Sequence, residues 1–139
     1  MKRYVFIPAR LDSSRLFQKM IKPFSDGTTV IQRTAKMCSM SLAQVHLVAD
    51  EDAILEAVTD LPKNNKHIQR KGDSGTERIS LFLKNKGNEF VSQAPGVIVL
   101  GDQPEVDPNL INFVLEKFES NKSNYDAVTL HIKRSCKDN

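Results

Sequence analysis

Tryptophan is absent, and aromatic residues make up only 6% of the 139 residues. The chain therefore lacks the stacking platform that single-stranded nucleic acids use. A net charge of +3 is too small an excess for the electrostatic footprint of a nucleic-acid binder. No apolar run is long enough to span a bilayer, and Met1 to Arg3 lead straight into a strand without the pattern of a signal peptide. Neither nucleic acid nor a membrane is an expected partner. The two cysteines, Cys38 and Cys136, form no metal or redox motif, and Cys38 falls on a helical apolar stripe. The expected location is the cytoplasm, where disulfides are not needed. Repeats and low-complexity segments are also missing.

What is present is an ordinary globular composition, 40% hydrophobic and 27% charged, in a chain long enough for one domain with a real core. Tyr4 to Ile7 is an apolar run ending at Pro8, the pattern of a buried strand. Val30, Ile31, Thr34, Ala35, Cys38 and Leu42 recur at helical spacing and predict a helix over 29–42. Val45 to Ala49 is a second buried strand, followed by Asp50, Glu51 and a short helix carrying Ile54, Leu55 and Val58. A turn over 62–66 leads to a short strand at 67–69. Ser74 to Lys86 reads as a helix with Ile79, Phe82 and Leu83 inward, and Gly96 to Leu100 as a strand of the parallel, doubly buried type. Asp107 and Pro108 make a strong helix start, with Asp as N-cap and Pro in the first turn. Asp126 to Ile132 reads as a further strand. Strands alternating with helices imply an α/β fold, a mostly parallel sheet with helices on both faces. That last strand has no covering element after it, so the single domain over 1–139 is expected to be incomplete on its C-terminal side.

Three segments carry chemistry. The first, residues 9–19, leaves the carboxyl end of the first strand, where ligands sit in open α/β sheets. Arg10, Arg15 and Lys19 share it with the adjacent hydroxyls of Ser13 and Ser14. Forked guanidinium donors, a lysine point charge and serine hydroxyls can surround a polyphosphate; a solvated loop is the plainer alternative. The second is Gly101-Asp102-Gln103-Pro104, directly after an apolar strand. Asp102 is placed to hold a hard cation such as Mg²⁺ through oxygen, although Gly-Asp and Pro also make ordinary turns. The third runs from Asp73 to Ile79. Ser74 and Glu77 form a capping box, while Gly75 lets a ligand approach the helix N-terminus and Arg78 supplies a donor to the same cleft. His46 reads as a satisfied core residue, and His67 and His131 lack metal or base spacing. Ser13 and Ser14 have no His and Asp in a triad arrangement. Lys63, Lys66, Arg70 and Lys71 read as a solvated basic patch.

Together these segments resemble the sugar-acid cytidylyltransferases. Ile7-Pro8-Ala9-Arg10 with Ser13, Arg15, Leu16 and Lys19 is similar to that family's amino-terminal signature. Ser74-Gly75-Thr76-Glu77-Arg78 resembles the motif of its 3-deoxy-manno-octulosonate (Kdo) branch, and Gly101-Asp102-Gln103-Pro104 resembles the branch's Gly-Asp-Glu-Pro. The motifs occur in the family's order and cover the first part of its chain. Phe17-Gln18 stands where the family has Pro-Gly, Leu100 where the branch has Gln, and Gln103 where it has Glu.

The resemblance implies a Rossmann-like nucleotidyltransferase fold, truncated here. It implies a Mg²⁺-dependent enzyme of lipopolysaccharide or capsule synthesis that joins CTP to Kdo or a related sugar acid and releases pyrophosphate. Arg10, Arg15, Lys19 and Asp102 are then the catalytic set. Ala9, Arg10, Ser13, Ser14, Arg15, Lys19, Ser74, Gly75, Thr76 and Arg78 contact the nucleotide, and Asp102 is the metal ligand. A homodimer of the family's type is allowed, but its usual interface belongs to the later half. Two alternatives stand beside this reading: a catalytically inactive CTP-binding module, or a nucleotidyltransferase for another sugar acid.

Overall fold

The computed structural model describes residues 2–11, 20–90 and 94–121. Four strands, β1 (Tyr4–Ala9), β2 (Gln44–Ala49), β3 (Lys66–Ile68) and β4 (Gly96–Ile98), form a sheet in the order β3-β2-β1-β4. All of its pairings are parallel. The helices are α1 (Val30–Ser39), α2 (Asp52–Ala57), α3 (Gly75–Lys86) and α4 (Pro108–Asn121), with short 3₁₀ turns at Lys63–Asn65 and Gly87–Glu89. The expected α/β architecture, a parallel sheet covered by helices on both faces, is what the chain adopts.

Side-chain alternation along β1 decides which face each core lies on. Val5, Ile7 and Ala9 point to the side of α1, α2 and α4 and join Ile31, Ala35, Cys38, Leu47, Ile54 and Leu115 in the larger core. Tyr4 and Phe6 point the other way, onto Ile79 and Phe82 of α3. Burial pushes the Cys38 thiol up to about 12, so it packs as a small apolar group.

Pro8, expected to end the first strand, lies inside it. The Asp50 N–H donates to the Ala9 carbonyl, while the Val99 and Gly101 N–H groups donate to Phe6 and Pro8. Even positions of β1 therefore face β4. The N–H that Pro8 lacks falls on that side, just where β4 ends at Ile98, so little pairing is lost. β4 is correspondingly shorter than the expected 96–100.

Two helices start on their expected caps, Ser74 and Asp107, and α1 starts on Thr29, which the sequence placed inside the helix. The Thr29 hydroxyl accepts from the Gln32 N–H, the Ser74 hydroxyl from the Glu77 N–H at 3.1 Å, and Asp107 Oδ1 from the Asn109 N–H at 2.9 Å. The return bond of the capping box goes from the Asp73 N–H to Glu77 Oε1, 3.2 Å away, one residue before the cap itself. At its other end α1 stops three residues short of the expected boundary. The Met40 N–H turns back to the Met37 carbonyl, and Leu42 is 76% exposed. The strand expected at 126–132 lies outside the described residues, as does His131.

Lys66 corrects the reading of a solvated basic patch. Its ammonium donates to the Leu55 and Val58 carbonyls at 3.2 and 2.9 Å. It thereby closes the C-terminus of α2, where carbonyls lack intrahelical partners. Lys63, Arg70 and Lys71 are exposed as expected. Lys66→Met should lower unfolding free energy by about 1–2 kcal/mol, since it removes the donor to the Val58 carbonyl, while the Leu55 carbonyl keeps the Val58 N–H. Lys63→Met should change it by less than about 0.5 kcal/mol. Urea unfolding of both variants checks the difference; equal midpoints would show that the Lys66 bonds contribute nothing.

Candidate functional site

Ala9 and Arg10, from the described start of the first segment, share one cleft at the carboxyl end of the sheet with the second and third segments. Pro8, Ala9 and Arg10 form one wall, Leu100, Gly101 and Asp102 the second, and Asp73, Ser74, Gly75 and Arg78 the third, with Met20 at the margin. The cleft holds about 190 Å³. That is below the roughly 300 Å³ at the small end of ligand pockets.

Two glycines set how closely the walls approach. A Cβ on Gly75 would lie 2.9 Å from Pro8 Cγ and 3.0 Å from Leu100 Cδ2. The start of α3 is thus pressed against β1 and the exit of β4, and the crowding there comes from the protein's own side chains. A Cβ on Gly101 would meet Ile31 Cδ1 at 2.9 Å and Ala9 Cβ at 3.2 Å. The Gly101 N–H donates to the Pro8 carbonyl at 3.2 Å, and the Gly101 carbonyl accepts from the Thr34 hydroxyl at 2.7 Å. The neighbouring half-buried Asp102 is therefore carried on a backbone fixed from both sides.

The walls offer both charges. Arg10 is exposed at the rim, and the carboxylates of Asp73 and Asp102 border the same space. Gly75 and Thr76 open α3, and N–H groups of a helix's first turn have no carbonyl partner within it. The positive end of the helix dipole adds to that bias toward an anion. The Thr76 side chain is exposed and is not part of the described lining. Arg78 lines the cleft but is only 4% exposed. Its guanidinium donates to the Gln69 carbonyl at 2.6 Å and to the Gly72 carbonyl at 3.4 Å. The donor read from sequence as aimed at a ligand is engaged with the loop entering α3.

Ser13, Ser14, Arg15 and Lys19 lie outside the described residues. Sequence reasoning missed Thr34, whose place on the apolar stripe of α1 gave no hint of a hydroxyl reaching a carbonyl 67 residues away. It also missed Met20 as a lining residue, and it placed Asp73 in the third segment without giving it a role. Asp73 stands directly before the N-cap of α3, and that was the signal available for it.

Among the described residues no cluster of three or more His, Cys, Asp or Glu side chains is arranged to hold a metal. No helix among them is long and apolar enough to cross a membrane.

The sequence profile of the cytidylyltransferases matches residues 4–137. The 3-deoxy-manno-octulosonate cytidylyltransferase 2 of Hydrogenovibrio crunogenus is 34% identical over 132 residues, covering 91% of this chain and 50% of that protein. The 8-amino-3,8-dideoxy-manno-octulosonate cytidylyltransferase of Shewanella baltica is 31% identical over 129 residues, again 91% of this chain and 51% of the other. A solved CMP:2-keto-3-deoxy-manno-octonic acid synthetase, in complex with CTP, superposes with a TM-score of 0.72 at 24% identity over 88% of this chain and 49% of that one. A cytidylyltransferase from Leptospira borgpetersenii superposes with a TM-score of 0.66 at 24% identity, covering 88% of this chain and 50% of that one. The chain spans about half the length of the curated relatives it matches.

Proposed function

Because the chain belongs to the cytidylyltransferase family, we propose that its cleft binds CTP and serves transfer of the cytidylyl group to Kdo or a related sugar acid. The observation that supports this reading is that Ala9 and Arg10 of the first segment share one cleft, at the carboxyl end of a parallel sheet, with residues of the other two. In the reaction the sugar's anomeric hydroxyl oxygen bonds to the α-phosphorus. The bond from that phosphorus to the β-phosphate oxygen breaks, pyrophosphate leaves, and the hydroxyl gives up its proton. No covalent bond to protein is required, so the work is positioning and neutralisation of phosphate charge.

We assign Arg10, with Arg15 and Lys19, to the triphosphate. Ala9, Ser13, Ser14 and the start of α3 at Ser74, Gly75 and Thr76 supply further nucleotide contacts. Arg78, held by two loop carbonyls, keeps the Gln69–Gly72 loop against the cleft.

A divalent cation of the magnesium type fits the donor set. Asp102 and Asp73 are oxygen donors on the same cleft, and Mg²⁺ commonly takes one or two carboxylates, substrate phosphates and water. Asp102 is its proposed ligand. When bound, such an ion lowers the negative charge on phosphate oxygens. A cytoplasmic location follows from this role.

A second reading is a module that binds CTP without turnover. Calorimetric titration with CTP, and with UTP and ATP as controls, with and without Mg²⁺, tests the shared part of both readings. Selective, Mg²⁺-enhanced CTP binding is expected. Absence of binding to a demonstrably folded chain would overturn both. Pyrophosphate release in the presence of Kdo then separates enzyme from module.

A further inference from the structure

Where β1 and β2 part, one side chain takes over from the sheet. Their register runs to Ala9 opposite Ala49, and the Asp50 N–H still donates to the Ala9 carbonyl at 3.2 Å. If the parallel ladder continued, the Leu11 N–H would next reach the main-chain carbonyl of Asp50. It donates instead to the Asp50 carboxylate, 2.9 Å from Oδ1. The side chain thus stands in for the missing carbonyl. Together the two bonds grip the peptide units on either side of Arg10, the exposed cation at the rim of the cleft.

We infer that Asp50 is the positioning residue for Arg10. Asp50 is absent from the described lining of the cleft, so its effect on a ligand passes through the backbone it fixes. A long guanidinium side chain loses much rotamer freedom on binding. Anchoring its Cα in advance means that only the side chain remains to be ordered when an anion arrives, which is the general advantage of preorganised donors. The carboxylate acts here through the position of its acceptor oxygen, not through its charge. This inference rests on the reading of the cleft as a CTP site.

The test is CTP affinity by calorimetry for the wild type, Asp50→Ala, Asp50→Asn, Arg10→Ala and the double variant Asp50→Ala with Arg10→Ala. Asp50→Ala should bind about tenfold more weakly, and Asp50→Asn, which keeps an acceptor for the Leu11 N–H, within about threefold of wild type. The double variant should bind no more weakly than Arg10→Ala alone, because two residues acting as a unit are not additive. Asp50→Glu keeps the charge but displaces the acceptor by one methylene, and should weaken binding as alanine does; it serves equally if Asp50→Ala does not fold. Additive losses in the double variant, or an Asn variant as weak as the Ala variant, overturn the inference. If the wild type itself binds no CTP, the reading of the cleft fails, and amide exchange at Leu11 in the free protein decides the clamp. Faster exchange in Asp50→Ala with wild-type exchange in Asp50→Asn supports it; identical exchange in all three overturns it.

Discussion

Asp102→Ala should remove the gain in CTP affinity that Mg²⁺ brings, a loss of about 100-fold at saturating metal, while leaving the fold intact. Even residues that only orient metal ligands commonly contribute 10–100-fold to affinity, so a direct carboxylate ligand belongs at the top of that range (about 100-fold). The side chain is half-buried on the cleft wall. What fixes it is the preceding glycine. The Gly101 carbonyl is tied to Thr34, its N–H to Pro8, and its Cα faces Ile31 and Ala9 with no room for a side chain. A ligand carried on such a backbone needs little reorganisation to meet a cation. Asp102→Asn separates charge from shape, since an amide oxygen binds Mg²⁺ far less well than a carboxylate, and it should behave like the alanine variant. The check is CTP titration of wild type and both variants with and without Mg²⁺, beside thermal melts. Should Mg²⁺ improve CTP binding by Asp102→Ala as much as by wild type, Asp102 is not the ligand and Gly101–Pro104 is a turn.

The elements that sequence made legible are those whose signals are local. Continuous apolar runs marked β1 and β2, and the caps at Ser74 and Asp107 act on N–H groups two or three residues away. What was missed depends on partners distant in the chain. The helical period carried α1 on to Leu42, because periodicity cannot register that the chain has already turned at Met40. Pro8 read as a strand end, because the side of β1 that carries the missing N–H is set by the pairing with β4. At the site, residue type and position at strand and helix ends singled out Arg10, Ser74, Gly75 and Asp102, and the family resemblance added Ala9; the fold brings all five to one cleft. Arg78 was singled out by the same reasoning, yet its guanidinium serves the Gln69–Gly72 loop. Lys66 looked like surface and is a helix cap. A charged side chain's type says what it can bond, and only the fold decides whether a ligand or the protein's own carbonyls receive the bond.

Acid should destabilise this fold through a histidine pair that no spacing rule could find. His46 Nδ1 lies 3.0 Å from His67 Nε2, and His46 Nε2 lies 3.1 Å from Gln44 Oε1. The glutamine oxygen can only accept, which assigns the His46 proton to Nε2 and makes Nδ1 the acceptor of the His67 N–H. The rings stack 5.2 Å apart, with Phe90 at 4.8 Å from His46 and Phe82 at 4.6 Å from His67. Burial in this aromatic nest, then the neighbouring His67 and Lys2, pushes His46 from 6.5 down to about 4. Burial first, then Lys86, lowers His67, with Glu89 acting in the opposite sense. A histidine depressed in the folded state takes up its proton earlier when unfolded. The stabilisation from keeping the pair neutral is therefore complete above the unfolded value of about 6.5 and is lost as pH falls toward 4. For His46, discounted for solvent reaching the half-buried His67, the loss amounts to about 2 kcal/mol. Urea unfolding at pH 7.5 and 4.5 should show that loss in wild type and a clearly smaller one in His46→Gln, which has no proton to gain. Equal pH dependence in the two proteins would place the acid sensitivity elsewhere in the molecule.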